Sequence, residues 1–192
     1  MKAAIDFYFD FSSPYGYLAS TRIDALAAKY GRKVNWRPML LGVAFKATGG
    51  APLPSIPLKG DYAKRDFLRS ARFYNIPFRQ PDPFPVSTVA ACRAFYSLDN
   101  AQDRLKLGRA LFSAYFVDNV NIGEAANVLK IAASLGLKPD IESQAVKDRT
   151  RAEVDAAVAK GVFGSPYIIV DGEPFWGMDR FEQVERWLRE PF

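Results

Sequence analysis

The sequence contains no histidine and a single cysteine among its 192 residues. Without histidine, neither a Ser-His-Asp nor a Cys-His catalytic arrangement can form, and the commonest metal ligand is missing as well. The 21 acidic residues are spread singly along the chain, so we expect no metal site. The one cysteine, Cys92, can form no internal disulfide, which fits a protein of the reducing cytoplasm. Cys92 shares a helical face with Val89 and Tyr96, and we interpret it as a core thiol.

Long uncharged segments are also missing. Asp6 and Asp10 interrupt the first apolar stretch almost at once, so this stretch is too short for a signal peptide or a membrane span. With 49% hydrophobic and 24% charged residues, the chain has the composition of a soluble globular protein with a substantial core. We therefore expect a cytoplasmic protein that does not associate with a membrane.

The net charge of +5 is concentrated in one segment. Residues 59–79 carry six basic side chains against two acidic ones. A surplus this short suits a small anionic ligand better than a nucleic acid, whose backbone requires a long basic stripe. A solvated helix face explains the same pattern equally well. The basic residues are Lys59, Lys64, Arg65, Arg69, Arg72 and Arg79.

The first forty residues have the pattern of a β-α-β unit. Residues 4–11 alternate between apolar and polar side chains, which predicts a strand. Apolar residues then recur at helical spacing over 18–30, and Gly31 is a typical helix end. Residues 33–40 read as a second strand. A crossover helix between two strands implies that the strands are parallel.

The rest of the chain is helical until its last thirty residues. Glycine and proline over 43–56 predict a loop. The tail returns to strands at 167–170 and 174–176 around an Asp-Gly turn, followed by a helix over 179–189. Between loop and tail, helical patterns cover 61–75, 85–98, 102–117, 124–135, 140–147 and 150–160.

This order predicts an α/β protein with a thioredoxin fold, whose β-α-β and β-β-α halves are separated by a large all-helical insertion. We assign residues 1–42 and 160–192 to a discontinuous thioredoxin-like domain. Residues 43–159 form the helical insertion domain.

The segment FDFSSPYGYLA stands where the first strand ends and the helix begins, which is where thioredoxin-fold proteins hold their reactive group. A redox member would have two cysteines, where this chain has Ser13 and Gly16. A helix start favours a bound anion, and a thiol ionises more readily there. The reactive sulfur should therefore come from a ligand. The alternative is an ordinary cap, with Ser13 at the N-cap and Pro14 at the first helical position.

Two further motifs lie in the tail. Ser165 and Pro166 precede a strand at the place of the cis-proline loop of this fold, which would leave the backbone of Ser165 free to pair with a peptide-like ligand. Asp179 and Arg180 open the last predicted helix. With Glu182 they read as a capping box, and Asp179 could also hold an ammonium group.

At this point the chain resembles the 2-hydroxychromene-2-carboxylate isomerase family of the kappa-class glutathione transferase and DsbA-like group. The matching motifs are FDFSSPYGYLA, FKATGGAPLPSIPLKGDY and GVFGSPYIIVDGEPFWGMDRF, in the family's order over nearly the whole chain. The resemblance implies a cytoplasmic homodimer that binds glutathione as its cofactor, with Ser13 as the catalytic serine. The glutathione contacts it implies are Ser13, Lys59, Ser165, Pro166, Asp179 and Arg180.

The resemblance also implies a reaction, the isomerisation of 2-hydroxychromene-2-carboxylate to trans-o-hydroxybenzylidenepyruvate in aromatic degradation. Reversible addition of a glutathione thiolate would turn a double bond into a rotatable single bond, without histidine, metal or redox cofactor. For an aromatic carboxylate substrate we expect a wall built from Tyr15, Trp36 and Phe45 beside a cation.

The chain departs from the family pattern at three positions. Gly50 replaces a frequent asparagine, Gly16 a frequent second serine, and Ser165 a usual Val or Leu. A glutathione contact is therefore missing or replaced. Two alternatives remain open: a kappa-like glutathione transferase or peroxidase acting on other electrophiles, and a non-enzymatic binding protein in which Ser13 is only a cap.

Overall fold

A computed structural model describes residues 3–192 and contains one four-stranded sheet in the order β2-β1-β3-β4. β1 pairs with β2 in parallel, whereas β1 with β3 and β3 with β4 are antiparallel. The predicted parallel β-α-β unit and the predicted hairpin are therefore both confirmed. The strands are β1 (Ile5–Phe9), β2 (Val34–Pro38), β3 (Tyr167–Val170) and β4 (Glu173–Trp176).

Nine α-helices surround this sheet in the described part of the chain. Two short 3₁₀ segments, Leu53–Ser55 and Met178–Arg180, accompany them. No helix within residues 3–192 is both long and apolar enough to cross a membrane. The helices are α1 (Pro14–Ser20), α2 (Ile23–Lys29), α3 (Leu41–Thr48), α4 (Lys59–Phe73), α5 (Val89–Ser97), α6 (Ala101–Phe116), α7 (Ala125–Ser134), α8 (Gln144–Ala159) and α9 (Phe181–Arg189).

The crossover is two short helices rather than the single predicted one. The Ser20 hydroxyl donates to the carbonyl of Tyr17 at 2.7 Å, and the Thr21 hydroxyl to that of Leu18 at 2.8 Å. Such bonds compete with the backbone hydrogen bonds that would continue a helix. α1 is therefore only seven residues long.

Two further predictions are wrong in the middle of the chain. Residues 43–48 belong to helix α3 where we predicted a loop, because the glycines and prolines that suggested the loop begin only at Gly49, which ends the helix with a φ of 72°. The two helices predicted over 140–160 are one, α8, which runs through the buried Thr150. The Thr150 hydroxyl donates to the carbonyl of Val146 at 2.8 Å, so a polar residue does not interrupt the helix.

The main core is rich in aromatic side chains. Most of them come from the sheet and from helices that lie between β2 and β3 in the chain. Phe7 and Phe9 on β1 are fully buried, and the Phe9 ring lies 5.2 Å from that of Phe112 on α6. Cys92 is also fully buried, as predicted for a core thiol. The opposite face of the sheet is covered by a smaller cluster, which contains Tyr8, Met39, Ala44, Ala157, Val162 and Tyr167.

An ion pair with a buried arginine ties the N-terminal segment to the β3–β4 turn. The Arg32 side chain is 4% exposed and donates to both carboxylate oxygens of Asp171, at 2.7 and 2.9 Å. Its Nε also donates to the carbonyl of Ala3. This bidentate geometry is the strong form of a charged hydrogen bond.

We predict that Arg32→Met lowers the free energy of unfolding by about 1.5–3 kcal/mol, the contribution of hydrogen bonds to charged groups. The half-exposed Asp171 can be rehydrated, which limits the loss. The matched control is Lys29→Met, which removes an exposed ion pair to Glu185 and should cost below about 1 kcal/mol. Urea denaturation of both variants measures the difference, and equal losses would contradict the prediction.

Candidate active site

A cavity of about 1130 Å³ opens at the carboxyl end of β1. Its lining is mostly apolar, with a few polar groups that converge near the turn between β1 and α1. Such a composition is typical of a small-molecule site, and the volume exceeds the usual upper range of about 1,000 Å³. The lining residues come from segments 10–15, 40–46, 51–54, 66–74, 84–89, 163–166 and 176–180.

Ser13 lies in this lining as the N-cap of α1. Its hydroxyl accepts a hydrogen bond from the Gly16 N–H at 3.0 Å, so it is a helix cap as predicted from the Ser-Pro sequence. The same hydroxyl donates its hydrogen to the carbonyl of Ser165 at 3.1 Å. With no histidine in the chain to remove that hydrogen, the Ser13 hydroxyl is a donor and a poor nucleophile.

Ser165 faces Ser13 across the site, and the Ser165–Pro166 peptide bond is cis, as predicted. The Ser165 hydroxyl accepts a hydrogen bond from the Asp10 N–H at 3.0 Å. A Cβ atom at Gly16 would come within 2.6 Å of this hydroxyl oxygen. The two departures from the family pattern, at positions 16 and 165, are therefore neighbours, and the Ser165 hydroxyl occupies the space that a side chain at position 16 would need.

Asp10 is a buried carboxylate beside Ser12 and was not among the predicted site residues. It is 4% exposed and accepts four hydrogen bonds, two from Ser12, one from Leu41 and one from Thr88. Burial raises the pKa of the Asp10 carboxyl, and these hydrogen bonds act in the opposite direction.

Tyr15 forms part of the cavity wall, as predicted, and its hydroxyl donates to Asp66 at 2.5 Å. Burial, and then this hydrogen bond to a carboxylate, raise the pKa of Tyr15 above its usual value. The ring packs edge-on against Phe67 at 4.9 Å. Tyr15 is thus a fixed wall residue, since its proton is held by Asp66.

Asp179 and Arg180 lie at the rim of the cavity and pair with each other at 3.3 Å. They form a 3₁₀ turn before α9, and α9 has no side-chain cap, so the capping box expected with Glu182 does not form. This leaves both charged groups, of which the Asp179 side chain is 70% exposed, accessible at the rim.

Of the other predicted site residues, one lines the cavity and two do not. Phe45 lines the cavity. Trp36 does not: it is buried in the main core, where its ring packs against Phe7 and its indole N–H donates to Asp24 at 3.3 Å. The expected role of Trp36 as a wall residue is corrected accordingly, because its strand position points it away from the cavity. Lys59 is exposed at the start of α4 and does not line the cavity.

Sequence reasoning missed two kinds of lining residue. Lys46, next to Phe45 on α3, places a cation in the wall. Phe163 and Trp176 form an aromatic pair at the rim, with ring centres 4.9 Å apart. The exposure of Trp176, 56%, is unusual for so large an apolar side chain. No local pattern marks these residues, because only the tertiary structure brings their segments together.

The fold and the site define a class, a thioredoxin-fold protein with a serine in place of the redox cysteines. A family model described as a DSBA-like thioredoxin domain matches residues 4–189. The chain belongs to this DsbA-like family, within the group that contains 2-hydroxychromene-2-carboxylate isomerases and kappa-class glutathione transferases.

Individual relatives cover nearly the whole chain. A 2-hydroxychromene-2-carboxylate isomerase of Sphingobium xenophagum is 30% identical over 195 residues, covering 98% of this chain and 99% of the relative. The glutathione S-transferase kappa 2 of Caenorhabditis elegans is 27% identical over 211 residues, covering 100% and 94%. A solved structure of a 2-hydroxychromene-2-carboxylate isomerase matches with a TM-score of 0.87 at 27% identity, covering 97% and 94%. These relatives are named as enzymes.

We predict that Gly16→Ala lowers the free energy of unfolding by about 1–2 kcal/mol, because the new methyl group displaces the Ser165 hydroxyl. In a Ser165→Ala background that oxygen is gone, and the same change should cost less. The Ser13 side chain still lies 3.1–3.3 Å from the new methyl group, and the better helix propensity of alanine, worth up to about 1 kcal/mol, offsets part of that cost. Denaturant unfolding of the two single variants and the double variant measures the coupling. Additive effects would contradict the prediction.

Proposed function

We propose that this protein is a glutathione-dependent isomerase that converts 2-hydroxychromene-2-carboxylate to trans-o-hydroxybenzylidenepyruvate in aromatic degradation. The observation that carries the proposal is the large cavity with Ser13 in its wall, in a chain that has no histidine and whose one thiol is buried. Such a site has no thiol of its own. It can bind one that a ligand brings.

The residues present fit a bound tripeptide thiol. Ser13 and Ser165 meet at one end of the cavity, and the backbone of Ser165 beside Pro166 offers polar groups of the kind that pair with a peptide. Asp179 and Arg180 at the rim carry charges of both signs, as an α-amino acid end requires. Lys59, just outside the lining, could reach a carboxylate only through its long side chain.

When bound, glutathione would supply a thiolate that adds reversibly to a conjugated carbon and so allows rotation about the former double bond. The role of Ser13 is to donate a hydrogen bond to an anion in the cavity. To do so it must exchange its present acceptor, the Ser165 carbonyl, for that anion. A charged acceptor forms the stronger bond, by about 0.5–2 kcal/mol, and a ligand N–H that takes over the Ser165 carbonyl would keep that acceptor satisfied.

The remainder of the cavity suits an aromatic carboxylate. Tyr15, Phe45 and Phe84 provide apolar surface, and Lys46 provides a cation without a carboxylate partner in the described residues. Asp66 also lines the cavity, but its carboxylate is paired with Arg69 and accepts the Tyr15 hydroxyl. We therefore propose that the substrate carboxylate lies toward Lys46 on α3. From the family resemblance we further propose a homodimer in the cytoplasm.

A kappa-like glutathione transferase or peroxidase is the second candidate, favoured by the match of the nematode kappa enzyme to the whole chain. It would use the same Ser13 and the same rim residues with another electrophile. A non-enzymatic binding protein would share the cavity and lack turnover.

We predict that purified protein isomerises hydroxychromene carboxylate only when glutathione is added, because the chain contains no accessible thiol. Cys92→Ala should retain that activity. Turnover followed by absorbance, with and without glutathione, separates the candidates: conjugation without isomerisation identifies a transferase, and binding without turnover identifies a binding protein. Full activity of dialysed protein would refute the proposed mechanism.

We predict that Ser13→Ala raises the pKa of bound glutathione by on the order of one unit, since about 1.4 kcal/mol of thiolate stabilisation corresponds to one pKa unit. Affinity for glutathione should change little, because the rim and backbone contacts remain. Ser70→Ala, which removes another cavity-lining hydroxyl, is the control. Thiolate absorbance titrated against pH measures the shift. Coincident curves for wild type and Ser13→Ala would reduce Ser13 to a helix cap.

A further inference from the structure

Asp10 connects three of the segments that enclose the cavity. Its Oδ1 accepts hydrogen bonds from the Ser12 N–H at 2.8 Å, the Ser12 hydroxyl at 2.9 Å and the Thr88 hydroxyl at 3.0 Å. Its Oδ2 accepts the N–H of Leu41 at 2.8 Å. These donors belong to the β1–α1 turn, the start of α5 and the start of α3. Residues from all three segments line the cavity.

The two helices concerned lack caps of their own. Leu40 stands at the N-cap of α3 and Thr88 at that of α5, and neither side chain caps its own helix. Three other helices have local side-chain caps: Ser13 caps α1, Asn100 accepts two backbone N–H bonds at the start of α6, and Ser143 accepts one at the start of α8. At the start of α3, Asp10 takes the place of a local cap, because it accepts the Leu41 N–H. This leaves the apolar Leu40 free to form cavity wall.

This arrangement buries a carboxylate for which no ion pair is found within residues 3–192. A buried charge without a cation is costly, and apolar packing would usually stabilise a fold better. The titratable groups that feel the charge are Cys92 on α5 and Tyr115 on α6, whose pKa values are raised by burial first and by Asp10 second. The position of Asp10 is therefore explained better by the cavity than by stability.

We propose that Asp10 is the positioning residue of the cavity: its carboxylate holds α3 and α5 against the β1–α1 turn and thereby sets the spacing between Ser13 and the wall that receives the second ligand. This inference rests on the proposed function for the identity of that ligand. The clamp itself rests on the four hydrogen bonds. α3 carries Phe45 and Lys46, so the placement of both depends on the bond between Leu41 and Asp10.

The test is Asp10→Asn in the intact chain. Asparagine keeps one acceptor oxygen and replaces the other with a donor, so the Leu41 N–H or the hydroxyl donors lose their acceptor. We expect amide hydrogen exchange at Leu41 to accelerate at least about tenfold while exchange in α9 is unchanged, the signature of a local opening. The kcat for the aromatic substrate should fall about tenfold or more, with the dissociation constant of glutathione within about threefold.

The control is Asp140→Asn. Asp140 also accepts two backbone N–H bonds, from Glu142 and Ser143 at 2.9 and 3.0 Å, and lies outside the cavity lining. It should leave both Leu41 exchange and kcat unchanged. If Asp10→Asn does not fold, Thr88→Val decides, because it removes one hydrogen bond and keeps the charge. Its kcat should fall measurably at unchanged glutathione affinity.

The experiment distinguishes a failure of the proposal for Asp10 from a failure of the proposed function. Loss of stability with unchanged kcat and unchanged Leu41 exchange would make Asp10 a purely structural residue and overturn the proposal. Unchanged kcat in a folded Thr88→Val variant would do the same where Asp10→Asn fails to fold. If the wild-type protein shows no glutathione-dependent turnover, the proposed function fails, and amide exchange at Leu41 in Asp10→Asn still confirms or refutes the clamp.

Discussion

The meeting of the β1–α1 turn with the Ser165–Pro166 loop is the contact on which the site depends. The contact joins residues more than 150 positions apart in the chain. The Ser13 hydroxyl donates to the Ser165 carbonyl, and the Asp10 N–H donates to the Ser165 hydroxyl. The antiparallel pairing of β1 with β3 brings these two loops to the same end of the sheet. The chemistry proposed for Ser13 depends on how this meeting of loops places the two residues, because the Ser165 carbonyl is the acceptor that Ser13 would exchange for a ligand.

The cavity keeps a mostly apolar lining because a few carboxylates accept the hydrogen bonds of the polar groups around it. Helix starts near a ligand site expose backbone N–H groups that need acceptors. Asp10 accepts one of them at α3, so Leu40 and Leu41 can contribute apolar surface. Asp66 similarly holds the proton of Tyr15. The result is a site with fixed walls and few free polar groups, which suits a ligand that brings its own nucleophile.

Much of the fold could be predicted from local patterns. The alternation in β1, the Asp-Gly turn before β4 and the spacing of helices α4 to α7 are confirmed within a few residues. The failures have identifiable causes. Ser20 and Thr21 hydroxyls end α1 early, and α3 begins with a residue that cannot cap, so no start signal precedes it. At the site, the placement of Trp36 in the core depended on the pairing of β2 with β1, which puts Trp36 on the same face of the sheet as Phe7.

Composition alone excludes some chemistry. Without histidine the chain can form no Ser-His-Asp or Cys-His arrangement, and the Ser-Pro pair after the first strand marks the helix start. Which side chains surround Ser13 depends on the packing of the whole chain. The proximity of Gly16 to the Ser165 hydroxyl, the burial of Asp10 and the wall position of Lys46 arise from segments that are distant in the chain. Local patterns carry no information on such contacts, because strand pairing and helix packing select them together.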